Sequence, residues 1–410
     1  MSKKIIDLIK NLVDEGSFIE LGGKAVSKEN ISKNTSEVEN DGVITGYATI
    51  DLKLVYIYAQ DDSILGASIG KMHAKKIVNM YKMAIKMGAP IIGFVGNAGI
   101  RIEEGQDSLF SFGKILKAKS RAKGIIPQIS IVTSCAGGGS SILCEMSDFL
   151  FMEEKEARLF TIAPNAIPGN KNDDNTKASN MSKYALVDYV SNMDDIIKKV
   201  RELIILLPSN SEDIDNYDES EDDINRLTPN VKNMEVMDII KEIADNHYYF
   251  ELKKEGGIAI TTGFIRINGQ TIGIVGSIKK VLGYTSMKKA KNFIYFLDTF
   301  NIPLLTITDV DSFNPNCVRV NELGVMAGKL ARAYVDATIP KVTLIKNAKS
   351  FAGFIMGSKC LDTDIVYAFD NSQISVMDEK RAVELLYANE INLAEDKNKF
   401  YVLLVKEYGQ

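Results

Sequence analysis

The feature that most restricts the fold of this chain is an internal duplication. The segment "DLIKNLVDEGSFIEL" from Asp7 returns as "DIIKEIADNHYYFEL" from Asp238. Likewise "ITGYATID" at Ile44 returns as "TTGFIRIN" at Thr261, and "IPQISIV" at Ile126 as "IPKVTLI" at Ile339. "SDFLFM" at Ser147 returns as "TDIVYA" at Thr363. Chance matches do not keep order and near-constant spacing, so the chain is two homologous halves. They join around residues 225 to 240, after an acidic stretch, which predicts domains over 1–230 and 231–410. A length of 410 residues likewise favours more than one domain.

Within the first half the pattern alternates. "LVYIYAQ" (Leu54 to Gln60) is a β-branched and aromatic run that predicts a strand. "GKMHAKKIVNMYKMAIKMG" carries Ile77, Met80, Tyr81, Ala84 and Ile85 at helical spacing and stops at Gly88. "APIIGFV" is a second buried run, "SLFSFGKILKAKSRAKG" a second helix, and "IPQISIVT" a third strand. This βαβαβ order predicts an α/β fold with a largely parallel sheet. "GNKNDDNTKASNMSK" and "SNSEDIDNYDESEDDIN" have few apolar residues and read as solvated loops.

Composition removes several function classes. A net charge of −5 gives no general attraction to nucleic acid or to an anionic membrane surface. No apolar run reaches membrane-spanning length, so no direct membrane insertion is expected. The start, "MSKKIIDLIKNLVDEGSF", lacks a long apolar stretch, which predicts no signal peptide. Cys135, Cys144, Cys317 and Cys360 show neither paired nor metal-ligand spacing, so a reduced, cytoplasmic chain without a bound metal is expected.

The loop after the third strand is unusual in both halves. It reads "SCAGGGSS" from Ser134 in the first, and "KNAKSFAGF" from Lys346 in the second. Small residues thus follow the strand twice, as Gly137 and Gly138 and as Ala352 and Gly353. One reading is close packing of strand on helix, where no side chain fits. The other is main-chain N–H groups at a helix start aimed at a developing oxyanion, each worth on the order of 3 kcal/mol. Other chemistry is short of residues. There are only two histidines: His73, expected to be a partly exposed structural residue of its helix, and His247, in the duplicated segment. Neither a phosphate-loop nor a dinucleotide glycine pattern is in place. Lys75 and Lys76, or Lys117, Lys119 and Lys123, could face phosphates, or could simply form a solvated face.

The motifs "DGVITGYATID", "AQDDSILGASIGKMHAKKI", "GAPIIGFVGNAGIRIEEG" and "IPQISIVTSCAGGGS" resemble the first half of biotin-dependent acyl-CoA carboxyltransferases. "TTGFIRINGQTIGIVGS", "FLDTFNIPLLTITDVDSF" and "ATIPKVTLIKNAKSFAG" resemble the second half. The resemblance implies two tandem crotonase-like domains, each a superhelix of ββα units, in a homo-oligomer that is at least a dimer and in this family a hexamer. It implies an active site where the first domain of one subunit meets the second domain of another. It also implies an acyl-CoA substrate, biotin on a separate carrier protein, and a biotin carboxylase or membrane decarboxylase subunit as partner. The N–H groups of Gly137 and Gly138 would then hold the thioester enolate oxygen, flanked by Ala136, Gly139, Ala98, Gly99 and Arg101. Those of Ala352 and Gly353 would hold the biotin ureido oxygen, flanked by Ser350, Phe351 and Phe354. The family's "DSGGARIQEG" is "GNAGIRIEEG" here, its "DVPGFLPG" is "DVDSFNPN", and its "KAYGGAY" is "KSFAGF". These departures favour, as the alternative, a weakened paralogue that binds acyl-CoA or scaffolds a complex. A hydratase or isomerase would want a carboxylate beside the loops, for which Glu103 and Glu104 are the candidates.

Overall fold

The computed structural model describes residues 3–27, 40–166, 168–170, 172–214 and 217–408. The chain divides into two compact units: residues 1–218 with 252–256 and 299–301, and residues 219–251 with 257–298 and 302–410.

The first unit is built on a mixed sheet. Its strands are β1 (Ile19–Glu20), β2 (Val43–Ile50), β3 (Lys53–Gln60), β4 (Ile91–Asn97), β5 (Gln128–Gly137), β6 (Phe149–Glu153), β7 (Arg158–Phe160) and β8 (Tyr189–Ser191). They lie in the order β1-β2-β3-β4-β5-β6-β8, with β7 pairing on the end of β5. The first two pairings are antiparallel and the rest parallel. After α1 (Lys3–Leu12), the helices α2 (Lys71–Met87) and α3 (Gln106–Ala122) form the crossovers that parallel strands require. Gly88 ends α2 in the left-handed conformation, at φ 61, as the sequence predicts. Buried Ile77, Met80, Tyr81 and Ala84 of α2 join Phe112, Ile115 and Ala118 of α3 in one core with Ile91 and Val132. Short helices α4 (Gly139–Glu145) and α5 (Ala178–Lys183) and the longer α6 (Met193–Leu206) complete the unit. The polar stretch from Gly169 is thus not all loop: Ala178 is fully buried, and it seats α5.

The second unit repeats the plan. Its strands β9 (Phe250–Leu252), β10 (Ile260–Ile267), β11 (Gln270–Ser277), β13 (Leu304–Val310), β15 (Lys341–Lys349) and β16 (Ile365–Ser375) lie in sequence order across one sheet. The pair β12 (Val281–Leu282) and β14 (Ser312–Phe313) stands beside it. The helices are α7 (Val236–Ile243), α8 (Tyr284–Thr299), α9 (Leu323–Asp336), α10 (Ser350–Phe354), α11 (Glu379–Leu386), α12 (Ala388–Leu393) and α13 (Lys397–Tyr408).

Two details show how closely the halves agree. In the first unit β4 and β5 slip register between Val95 and Asn97; in the second β13 and β15 slip between Thr308 and Asp309. Each bulge bends the strand just before its small-residue loop. The duplicated segment also does the same work twice. The β2–β3 hairpin turns through Asp51 and Leu52, both at positive φ, and Asp14 accepts their N–H groups at 3.0 Å. The β10–β11 hairpin turns through Asn268 and Gly269, and Asp245 accepts theirs at 3.0 and 2.7 Å. Such turns demand left-handed backbone at both central residues, and the carboxylate satisfies the donors they expose. Burial alone would raise the pKa of Asp14, but the Leu52 and Asp51 amides and Arg201 outweigh it and hold it far below the carboxylate range. Asp14→Ala should therefore cost about 2 kcal/mol in urea unfolding, for the loss of charged hydrogen bonds. A change below about 0.5 kcal/mol would show that the turn holds itself.

Candidate active site

In the first unit, the carboxyl ends of β4 and β5 lie side by side, with Asn97 paired to Ala136. In open α/β sheets this edge is where ligands bind. The strand β5 runs four residues beyond the apolar run that announces it, through Cys135 and Ala136 to Gly137. The three glycines then have three separate reasons. A Cβ on Gly137 would fall 2.7 Å from the Phe160 ring, and one on Gly139 2.6 Å from the Phe112 ring. Gly138 sits at φ 58 and ψ −124, and a Cβ there would meet nothing within 4 Å. Gly138 is thus set by conformation, with open space before it. Its N–H is donated to Phe160 O at 2.9 Å, so in this conformation that amide is already engaged. Gly139 and Ser140 follow as the first residues of α4, where no acceptor lies one turn behind. Ala136 is fully buried beneath them.

A buried polar network lies under this turn. Asn97 Oδ1 accepts the Ser140 hydroxyl at 2.7 Å and the Gly99 N–H at 2.9 Å. Its Nδ2 donates to Gln60 Oε1 at 2.8 Å, and Gln60 Nε2 meets His73 Nε2 at 3.0 Å. The amide can only donate there, so His73 Nε2 accepts and its Nδ1–H donates to Asp41 O at 2.9 Å. His73 is fully buried rather than partly exposed, because the start of α2 is covered by the loop that carries Asp41. Burial, aided by the Arg101 and Lys76 cations, pushes its pKa down to about 3, so the ring is neutral.

Arg101 closes the network. It is 2% exposed and donates to Asp41, Glu104 and Ser68. Glu104 also accepts the Lys71 N–H at 2.6 Å. Arg101 therefore spends its donors on protein groups and holds the loop. Glu104 is tied up with it, while Glu103 points to solvent. Ala98 is exposed at the end of β4, with its N–H donated to Gly66 O at 2.8 Å, and Gly99 follows at φ 95. Asp41, Gln60 and Asn97 carry no sequence signal of their own. Only the strand alternation, which turns Gln60 inward beside the helix start, could have pointed to them.

The second unit differs at the same place. Ser350, at φ 57, is the positive-φ residue of this loop and stands two positions before Ala352. Ala352 and Gly353 lie inside α10 and are buried. A Cβ on Gly353 would fall 2.6 Å from the Ala348 backbone, so this glycine is required by packing. The Ser350 hydroxyl donates to Asp311 O at 3.0 Å and accepts the Ala352 N–H at 3.2 Å. The loop borders an apolar pocket of about 310 Å³, lined among others by Ile345, Ser350, Phe351, Gly353, Phe354 and Val376. Phe351 is 73% exposed and packs edge-on against Phe354.

Of the lysines that could face phosphates, Lys75, Lys117 and Lys123 are exposed. Lys119 is buried and donates to the Tyr81 and Ser147 hydroxyls at 2.9 Å, while Lys76 is buried and reaches Val43 O. Lys123 pairs with Asp148. Among the described residues no group of His, Cys, Asp or Glu is placed to hold a metal ion, and no helix is long and apolar enough to cross a membrane.

The chain matches the carboxyl transferase domain family over residues 2–408. It belongs to that family. The methylmalonyl-CoA decarboxylase subunit alpha of Veillonella parvula is 34% identical to it, over 98% of this chain and 82% of the relative. The propionyl-CoA carboxylase beta chain of Roseobacter denitrificans is 32% identical, over 93% and 79%. The crystal structure of the transcarboxylase 12S hexamer with methylmalonyl-coenzyme A bound superposes with a TM-score of 0.91 at 28% identity, covering 98% of this chain and 82% of that one. The fold of this carboxyltransferase is accordingly crotonase-like, as the resemblance implies.

Proposed function

We propose that the chain is the carboxyltransferase subunit of a biotin-dependent complex, moving a carboxyl group between biotin on a separate carrier protein and a small acyl-CoA. The observation that supports this most is the turn Gly137–Ser140, a left-handed glycine facing open space on an otherwise rigid strand end. Main-chain N–H groups fixed there would hold the thioester oxygen as negative charge develops on it, without reorganising. The apolar pocket beside Ser350 and Phe351 suits a small, largely apolar bicyclic group, and its volume is at the lower end for ligand sites. Biotin would supply both the carboxyl group and a ureido nitrogen able to take the α-proton. This chain's own residues would bind, orient and exclude water, and no side chain need act as a base.

The partners of such a subunit are a biotin carrier with either a biotin carboxylase or a membrane decarboxylase subunit, and the assembly is a hexamer. Carboxyl transfer from carboxybiotin, free or on a carrier protein, to acetyl-, propionyl- and butyryl-CoA tests the reading. Transfer to one or more of them is expected. Tight acyl-CoA binding by an intact assembly with no transfer to any would overturn it in favour of a binding or scaffolding subunit. The engaged Ala352 N–H and the left-handed Ser350 are the observations that favour this second reading.

A further inference from the structure

We propose that Asn97 is a positioning residue for the glycine turn, holding it through a buried relay that ends on the neutral His73. This rests on the carboxyltransferase reading of the turn. One carboxamide oxygen accepts from both loops at the carboxyl edge of the sheet, Gly99 N–H on one side and Ser140 Oγ–H on the other. Asn97, Ser140, Gln60 and His73 are all at least nine-tenths buried, so water cannot replace these bonds. The orientation of the Asn97 amide is in turn fixed by Gln60, whose Oε1 accepts Asn97 Nδ2–H at 2.8 Å and the Gly96 N–H at 3.2 Å. Gln60 cannot turn over, because its own NH2 group faces an imidazole nitrogen without a proton. That nitrogen is bare because the other one donates to Asp41 O. Each link permits one orientation of the next. The result is a single allowed placement of Ser140, the second residue of α4, and hence of the amides before it.

The charged groups around His73 all bear on this chain of orientations. The Asp41 carboxylate accepts the His73 main-chain N–H at 2.8 Å, Arg101 binds Asp41 and Glu104, and Lys76 lies on the next turn of α2. Two cations near the ring oppose its protonation, and the wild-type relay stays in one state across the physiological range.

Three measurements on the full-length assembly test this. Asn97→Ala should lower kcat for carboxyl transfer about tenfold with KM for acyl-CoA changed less than threefold, since binding contacts elsewhere remain. Hydrogen exchange of the segment 137–141 should quicken in the same variant. Asn97→Asp removes the donor to Gln60. The side chain of Gln60 must then reverse and present its oxygen to His73, which can satisfy both Gln60 and Asp41 O only as imidazolium. With only two histidines in the chain, ¹⁵N-histidine spectra should show a protonated His73 near neutral pH in Asn97→Asp, and the neutral Nδ1–H tautomer in wild type. An unchanged His73 spectrum in Asn97→Asp, or wild-type exchange in Asn97→Ala, would overturn the relay. Wild-type kcat in Asn97→Ala would overturn its role in catalysis. A wild-type chain that transfers nothing would instead sink the carboxyltransferase reading, while the spectra and exchange rates still judge the relay.

Discussion

Replacing Arg101 with methionine should cost the first unit about 3 to 5 kcal/mol of stability, the largest effect expected from any single surface-remote polar change here. The reason is what it leaves behind. Arg101 Nη1 lies 3.0 Å from both Asp41 and Glu104, and the two carboxylates are respectively 0% and 1% exposed at the side chain. Methionine fills most of the volume but offers no donor, so two buried anions would face each other without the guanidinium they share. The Ser68 carbonyl and hydroxyl would also lose their donor. Denaturant unfolding of the variant against wild type checks this. A loss below about 1 kcal/mol would mean that water enters the site, and the description of a sealed network would fail. The triple variant Arg101→Met, Asp41→Asn, Glu104→Gln should recover part of the loss, because it removes the uncompensated charges. Recovery is the outcome that separates charge burial from lost packing, which the triple variant does not restore.

How much of this could be read in advance depends on whether the signal is local. The duplication, the parallel core and the left-handed Gly88 stop were legible, because periodicity, β-branched runs and glycine each report on their own neighbourhood. The glycine turn was legible as a turn for the same reason. What lies under it was not. Gln60, Asn97, His73 and Asp41 come from four separate elements, and each looks ordinary in sequence; His73 sits at a helix start whose cover is supplied by a loop 32 positions earlier. In the second loop the positive-φ residue is a serine, Ser350, which bears the strain and regains part of it through Asp311 O. Residue size reports packing there, and only the dihedrals report the turn.

The same distinction makes Gly138→Ala the sharper test of the site. Gly138 at φ 58 and ψ −124 lies outside every region open to an L-residue, so a methyl group is excluded by the backbone although the space in front is free. Forcing the residue there costs about 1 to 3 kcal/mol, and the turn relieves it by moving. Such a move also breaks the Gly138 N–H to Phe160 O bond and displaces the first amides of α4. A displacement near 1 Å at donors aimed at developing charge costs on the order of a hundredfold in rate. Gly138→Ala should therefore lower kcat for carboxyl transfer by about 100-fold or more, with the unfolding midpoint only modestly reduced. Incorporating D-alanine at the same position supplies the decisive contrast, since a D-residue adopts this backbone without strain. If L-alanine is tolerated at full rate, the turn does not hold the reacting oxygen. If D-alanine is as damaging as L-alanine, conformation is not what selects glycine there.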